Sequence, residues 1–120
     1  MIRAWFPADP RSAEAARRWL RTTLPSRFAA RLDDAVLLGS ELVTNAVLHA
    51  RSAVQVSVSI HGRTARIGVG DEAAGIPVLR AAREGAVNGR GVQLVQALAD
   101  RWGVARTGRA KTVWFELDLH

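Results

Sequence analysis

The fold of this chain is decided by a stretch that reads ELVTNAVLH, residues 41–49. Apolar residues around it recur at helical spacing, which predicts one long helix from Phe28 to His49, packed on more than one side. Glu41, Asn45 and His49 are spaced i, i+4 and i+8, so they share one edge of that helix. A carboxylate and an amide in this array can hold a magnesium ion and a hydroxyl near a phosphate. An ordinary polar helix face fits the same spacing, and the spacing alone does not separate the two interpretations.

Two shorter helices accompany the long one. Asp9 and Pro10 supply a capping side chain and a first-turn proline, which predicts a helix that ends near Leu24. Apolar residues at helical spacing predict a third helix from Val92 to Trp102.

The strands are indicated by alternation of apolar and polar residues. Residues 2–6 form a short first strand, and residues 54–61 alternate over their whole length. A turn at 61–63 joins the latter to a partner strand over 65–69, and a final hairpin turns near Gly108. The predicted fold class is α+β, with helices on one face of a mixed, largely antiparallel sheet.

The composition limits the classes of protein to consider. A chain of 120 residues without cysteine fits one domain, 1–120, and excludes disulfides and cysteine-ligated metals. No stretch approaches the ~18 apolar residues of a membrane span, and the start Met1-Ile2-Arg3 lacks the apolar segment of a signal peptide. We therefore expect a cytoplasmic location. The net charge is +6, but the arginines are scattered, so we do not expect nucleic-acid binding.

A loop rich in glycine begins where the strand over 65–69 ends, and it reads DEAAGIP, residues 71–77. An aspartate at this position, Asp71, can accept a hydrogen bond from an exocyclic amine such as that of adenine. Gly75 would let the backbone approach a flat ligand closely. A simple surface turn explains these residues equally well.

A second glycine motif and a threonine complete the set of candidates. Gly89-Arg90-Gly91 comes just before the predicted third helix, and glycine-rich backbone at a helix N-terminus favours anions. Helix entry alone also explains the two glycines. Thr112 lies near the start of the last strand, where its hydroxyl can face a ligand or can simply suit a strand.

The order of these motifs resembles the nucleotide-binding domain of the GHKL superfamily, which includes gyrase, heat-shock chaperone ATPases, histidine kinases and MutL. Glu41 to Asn45 matches its N-box, residues 71–77 match its first glycine box, and residues 89–94 match its second. The resemblance implies the Bergerat fold, a two-layer α/β sandwich with a mobile ATP lid, which we place at residues 78–88.

The resemblance also implies cofactors and roles by position. ATP and Mg²⁺ are the implied ligands, with Asn45 as the metal ligand and Glu41 as general base. Asp71 would bind the adenine amine, and Thr112 would support the adenine pocket. The full set of implied nucleotide contacts is Asn45, Asp71, Gly75, Ile76, Gly89, Arg90, Gly91, Val92 and Thr112.

The stretch 41–49 and the short chain resemble most closely the bacterial anti-sigma-factor serine/threonine kinases. That resemblance implies transfer of the ATP γ-phosphoryl group to a serine on an anti-sigma-factor antagonist, and binding of a sigma factor. A homodimer is a further expectation, with a surface around Trp5, Trp19 and Trp114.

One position departs from the family pattern. The first glycine of the D-x-G-x-G-I-P box is Ala73 here, and its methyl group can crowd the adenine or strain the backbone. The alternative to a kinase is therefore a module that binds nucleotide and docks partner proteins without transferring a phosphoryl group.

Overall fold

The described part of the chain folds into one β-sheet whose one face is covered by helices. The computed structural model describes residues 1–49, 53–71, 89–107 and 110–119. Their elements are, in order, β1 (Ile2–Phe6), α1 (Ser12–Thr23), a 3₁₀ segment (Ser26–Arg31), α2 (Leu32–His49), β2 (Val54–His61), β3 (Thr64–Asp71), α3 (Gly89–Leu98), β4 (Arg101–Thr107) and β5 (Ala110–Asp118).

The described strands form one five-stranded sheet in the order β1-β2-β3-β5-β4, and each neighbouring pair is antiparallel. A strand exposes successive side chains on opposite faces, so alternate residues meet the helices. The face that packs on α1, α2 and α3 carries the buried residues of the three central strands: Val54, Val56, Val58, Ala65, Ile67, Val69, Val113, Phe115 and Leu117. The predicted α+β fold, with helices on one face of a largely antiparallel sheet, is confirmed.

The helical layer closes over this face through close contact between α1 and α2. Ala16 and Leu20 of α1 are fully buried, as are Leu38 and Val43 of α2. A side chain at Gly39 would place its Cβ 2.6 Å from the Leu20 Cδ1 atom, so the approach of the two helices requires glycine there. The burial of Leu38 and Val43 agrees with the apolar packing predicted for the long helix.

The beginnings of α1 and α2 differ from the prediction. The Asp9 carboxylate accepts the Arg11 N–H at 2.8 Å, and the Asp9 carbonyl accepts the Ser12 N–H at 2.9 Å. These bonds form a turn, so Asp9 and Pro10 precede the helix instead of opening it, and α1 begins at Ser12. The long helix begins at Leu32 because the residues before it form the 3₁₀ segment.

The prediction of a third helix from Val92 to Trp102 is wrong at both ends. The helix α3 spans Gly89–Leu98, and Trp102 lies in β4, where it is the register partner of Phe115. Asp100 explains the C-terminal end, because its N–H donates to the Glu116 carbonyl and its carboxylate accepts the Asp118 N–H at 2.8 Å. These bonds draw the chain out of the helix and into the sheet.

One arginine joins the end of the helical layer to the end of the sheet. Arg31, the last residue of the 3₁₀ segment and directly before α2, donates to the Leu98 carbonyl at 3.0 Å and to the Asp118 carbonyl at 2.7 Å. It also forms ion pairs with Asp34 at 3.1 Å and Asp100 at 3.0 Å. Its side chain is only 16% exposed. The start of α2 and the C-terminus of α3 are therefore held together.

Because of these bonds, the stability of the domain depends on the ionisation of the Asp100 carboxyl group. The Asp118 N–H and the Arg31 guanidinium hold the pKa of the Asp100 carboxyl below its ordinary value. A group with a lowered folded-state pKa stabilises the fold above its unfolded pKa, and that stabilisation is lost as the pH falls. We expect Asp100→Asn, which keeps an oxygen acceptor, to flatten the decline in stability between about pH 5 and pH 2. Urea unfolding at a series of pH values measures this, and an unchanged slope would contradict it.

Several predicted features lie outside the described residues. These are the glycine-box residues Ala73, Gly75 and Ile76, the lid at 78–88 and the hairpin turn at Gly108. The hairpin itself is confirmed by the antiparallel pairing of β4 with β5.

Candidate nucleotide site

The topology brings α2 and α3 side by side in opposite directions. Arg31 places the start of α2 against the C-terminus of α3, and the two helices are in contact. An α-helix rises about 1.5 Å per residue, so the ten residues of α3 extend about 15 Å back from Leu98. Ten residues along α2 from Leu32 lead to Glu41. The N-terminus of α3 therefore points toward the end of the domain that contains the C-terminal half of α2.

The same end of the domain contains the end of β3. Only four residues separate the end of α2 at His49 from the start of β2 at Val54. Val54 is the register partner of Asp71, the last residue of β3. The C-terminal half of α2, the N-terminus of α3 and Asp71 thus lie toward one end of the sheet.

The two polar residues of α2 differ in burial. Successive residues of a helix are rotated by 100°, so each i, i+4 step turns about 40° around the axis. Glu41 is half-buried at the rim, and Asn45 is rotated inward and only 6% exposed. The side chain of His49, the third residue of the predicted edge, lies outside the described part.

The two hydroxyl groups next to Glu41 and Asn45 on α2, those of Ser40 and Thr44, form hydrogen bonds within the helix. The Thr44 hydroxyl donates to the Ser40 carbonyl at 2.9 Å, and the Ser40 hydroxyl donates to the Leu37 carbonyl at 3.1 Å. No hydrogen bond or ion pair joins Glu41 to another described residue. Its carboxylate is therefore available at the rim of this end of the domain.

The second glycine motif lies inside the helix and not before it. Gly89, Arg90 and Gly91 form the first turn of α3, with Val92 following directly. The N–H groups of the first helical turn have no partner within the helix, and the helix dipole adds positive potential there. An anion such as a phosphate is stabilised at this position.

Thr112 does not belong to this end of the helical layer. Its neighbour Val113 is buried among the helices, so Thr112 lies on the opposite face of the sheet. There it packs beside the glycines of β3: a Cβ at Gly68 would lie 2.9 Å from the Thr112 Cγ2 atom. Thr112 and the buried Asn45 thus lie on opposite sides of the sheet, and the support of an adenine pocket by Thr112 stays a prediction.

The residue that does occupy the helix-packed face at this point is Lys111. It is the register partner of Asp71 across the β3–β5 ladder and is half-buried. The sequence indicates this position of Lys111, because alternate residues of a strand share a face and Lys111 alternates with the apolar residues Val113 and Phe115. Lysine is not part of the family pattern, so the motif alone does not predict a role for it.

The opposite face of the sheet has its own shallow groove, of about 410 Å³. Arg3, Ser57, Arg66, Thr112 and Trp114 contribute to its lining. The Arg66 guanidinium lies 3.9 Å from the centre of the Trp114 ring.

Trp114 thus lies on this open face, whereas Trp19 packs edge-on against Phe6 in the helical layer. The three tryptophans predicted to form one dimer surface therefore do not lie on one face.

This fold and this arrangement define an ATPase domain of the GHKL superfamily. The model of the histidine kinase-like ATPase domain family matches residues 6–117. Because that match covers almost the whole sequence, the chain belongs to this family.

Solved structures of histidine kinases are similar to this chain. The histidine kinase domain of the Erythrobacter litoralis EL346 blue-light activated histidine kinase is 34% identical over 73% of the chain, with a TM-score of 0.57. A second structure of the EL346 kinase gives 34% identity over 72%, with a TM-score of 0.56. Acinetobacter baumannii histidine kinase AdeS is 11% identical over 98% of this chain and 68% of its own, with a TM-score of 0.55, which shows the fold alone.

The chain spans 44% and 31% of the two Erythrobacter chains. No curated protein matches the sequence. Within the described ranges, no helix has both the length and the apolar character needed to cross a membrane.

Proposed function

We propose that this domain binds Mg²⁺-ATP and transfers its γ-phosphoryl group to a serine or threonine hydroxyl of a partner protein. The observation that carries the proposal is the convergence of Glu41 and Asn45 with Asp71 and the N-terminus of α3 at one end of the sheet. The family of the chain supports ATP as the nucleotide.

The residues present fit a magnesium ion held mainly by the nucleotide. Mg²⁺ usually takes one or two protein oxygens and completes its coordination with phosphates and water. The described residues contain no cluster of three or more acidic, histidine or cysteine side chains that would form a protein cage. The amide oxygen of Asn45 is the ligand we propose. When bound, the metal neutralises charge on the phosphate oxygens.

The protein's own groups would position the phosphates and the acceptor. The unpaired N–H groups of the first turn of α3 hold phosphate oxygens. Glu41 accepts the proton of the attacking hydroxyl as its oxygen bonds to the γ-phosphorus and the bond to the β–γ bridging oxygen breaks, which releases ADP. Asp71 accepts a hydrogen bond from the adenine amine.

The proposed partners follow from the resemblance of residues 41–49 to anti-sigma-factor kinases. The phosphoryl acceptor would be a serine on an anti-sigma-factor antagonist, and a sigma factor would be the alternative partner. A homodimer remains a prediction.

A second candidate function is a docking module that binds nucleotide without transfer. Ala73 favours it, because the methyl group occupies the position of a glycine in the family pattern. Transfer of labelled phosphate from ATP to a purified antagonist protein separates the two functions. Binding of ATP without any transfer would favour the module.

The nucleotide site itself is tested by titrating ATP with and without magnesium. We expect magnesium to tighten ATP binding to the wild type, and Asn45→Ala to lose most of that gain, because its oxygen ligand is removed. Asn45→Asp keeps an oxygen on Cγ, at the same distance from the backbone, and should retain the magnesium dependence of ATP binding.

Calorimetry measures both titrations, and circular dichroism checks that the variants fold, since Asn45 is buried. Absence of ATP binding to the folded wild type would overturn the proposal. An Asn45→Ala variant that keeps the full magnesium effect would remove Asn45 as the ligand.

A further inference from the structure

Two exposed leucines lie on either side of Glu41 along α2. Leu37 is 41% exposed and Leu48 is 61% exposed, and the other exposed large apolar side chains of the described ranges belong to the first five residues. Leu37 precedes Glu41 by about one helical turn, and Leu48 follows it by about two turns. Because successive helical residues are rotated by about 100°, both leucines lie within about 40° of the direction of Glu41 around the axis. The three side chains therefore share the outward side of α2.

A small apolar pocket of about 90 Å³ opens beside Leu48. It is lined by Pro10, which precedes α1, by Ala13 of α1, and by Thr44, Val47 and Leu48 of α2. The one hydroxyl group of this lining is bonded to a carbonyl of its own helix. The pocket therefore suits an apolar side chain of a partner, and apolar anchors seated in pockets supply much of the binding energy at protein interfaces.

The helix beside this side of α2 is positively charged. Ala13 of α1 meets Leu48 near the end of α2 in the pocket, whereas Arg21 of α1 reaches Asp33 near the start of α2 at 3.8 Å, so the two helices are antiparallel neighbours. The helix α1 carries three arginines and one glutamate. A partner that covers this part of the surface is favoured if it is acidic, since complementary charge speeds association and fixes orientation.

The acceptor of the proposed reaction has to approach the outward side of α2. A general base takes a proton across about 2.6–3.2 Å, so the acceptor hydroxyl must lie against the Glu41 carboxylate. Along the helix axis, Leu37 lies about 6 Å from Glu41 and Leu48 about 10 Å from it in the other direction. An extended chain advances about 3.3 Å per residue, so two residues and three residues span these distances.

We propose that the outward side of α2 is the docking surface for the phosphoryl acceptor, and that it selects an acidic segment with apolar side chains two to three residues from the acceptor serine on both sides. One apolar side chain packs on Leu37, and the other enters the pocket beside Leu48. The inference rests on the proposed function, because it takes Glu41 as the group that meets the acceptor hydroxyl.

The test measures binding and phosphorylation of two synthetic peptides by the 120-residue chain loaded with Mg²⁺-ATP. Both peptides are acidic and carry one central serine. The first has leucine at the second and third positions on each side of the serine, and the second has glutamine at the same four positions. We expect a KM about tenfold lower for the leucine peptide at a similar kcat, because only the leucines bury apolar surface on α2.

The double variant Leu37→Gln/Leu48→Gln tests the same contacts from the side of the protein. Both leucines are exposed and glutamine is a good helix former, so we expect α2 to remain intact. The variant should raise the KM for the leucine peptide by about tenfold and leave kcat and the Kd of ATP unchanged. Ile2→Gln is the matched control, because Ile2 is a similarly exposed apolar residue on β1, and it should keep the wild-type preference.

Several results would refute the docking surface and leave the proposed function intact. These are equal KM values for the two peptides in a wild type that binds ATP, a leucine preference that survives the double variant, and a preference that Ile2→Gln removes equally. Binding of the leucine peptide without its phosphorylation would also refute the inference, because the surface would then not serve the transfer. Folded protein that does not bind ATP would overturn the proposed function together with the inference.

Discussion

Glu41→Gln is expected to lower phosphoryl transfer by about 10²- to 10⁴-fold while ATP binding stays close to that of the wild type. The substitution removes the carboxylate that would take the proton of the acceptor hydroxyl but keeps the size of the side chain. Glu41 is half-buried at the rim of α2 and is not bonded to another described residue, so its neutralisation should not disturb the fold. The effect belongs to the transfer step, not to binding.

The measurement is labelled-phosphate transfer from ATP to a serine-bearing antagonist, with the Kd of ATP determined in parallel. Glu14→Gln is the control, because Glu14 is an exposed glutamate on α1 that pairs with Arg17. It should transfer at the wild-type rate. Transfer by Glu41→Gln at that rate would remove the proposed role of Glu41 without affecting the assignment of the nucleotide site.

The regular elements were predictable where one periodicity extended over many residues. The alternation of 54–61 predicted β2 and its buried face, and the apolar residues of the long helix predicted the packing of α2 on two sides. Both patterns arise from burial against several neighbours at once, so they are visible without knowledge of those neighbours.

The boundaries of α3 were not predictable in the same way. Val95, Leu98 and Trp102 continue a helical spacing, and Trp102 was therefore assigned to the helix. What ends the helix is a pair of hydrogen bonds between Asp100 and β5, from residues 16 and 18 positions further along the chain. Local spacing carries no information about such bonds.

The roles of the site residues stay predictions, but the places of these residues in the fold can be compared with the family pattern. The family pattern identified Glu41, Asn45, Asp71 and the glycines at 89 and 91, and the topology brings these positions to one end of the sheet. Thr112 was assigned by motif, but its role also depends on which face of β5 it occupies. Counting parity from the buried Val113 would have placed Lys111, and not Thr112, on the helix-packed face.

Nothing in the sequence distinguishes Arg31 from the many other arginines. Its partners Leu98, Asp100 and Asp118 lie 67, 69 and 87 residues away along the chain. Only the folded structure shows that its planar guanidinium, with five donors, satisfies two carbonyls and two carboxylates at once.

Arg31→Met is accordingly expected to destabilise the domain by about 3 kcal/mol, a large share of the ~5–15 kcal/mol that stabilises a typical domain. Methionine fills a similar volume but leaves the Leu98 and Asp118 carbonyls without their donor and the Asp34 and Asp100 carboxylates without their counter-ion. Arg31→Lys should recover only part of the loss, since a single ammonium cannot reproduce the fork of an arginine.

Urea unfolding monitored by tryptophan fluorescence measures these differences. Arg21→Met is the control, because its pairing with Asp33 at 3.8 Å is solvent-exposed and should contribute no more than about 1 kcal/mol. Equal losses for Arg31→Met and Arg21→Met would contradict the structural role of Arg31.

Because Arg31 also fixes the position of the C-terminus of α3 against the start of α2, folded Arg31→Met should bind ATP more weakly than the wild type. A variant that is destabilised but binds ATP normally would show that the alignment of Glu41 with α3 is set by the core and not by this arginine.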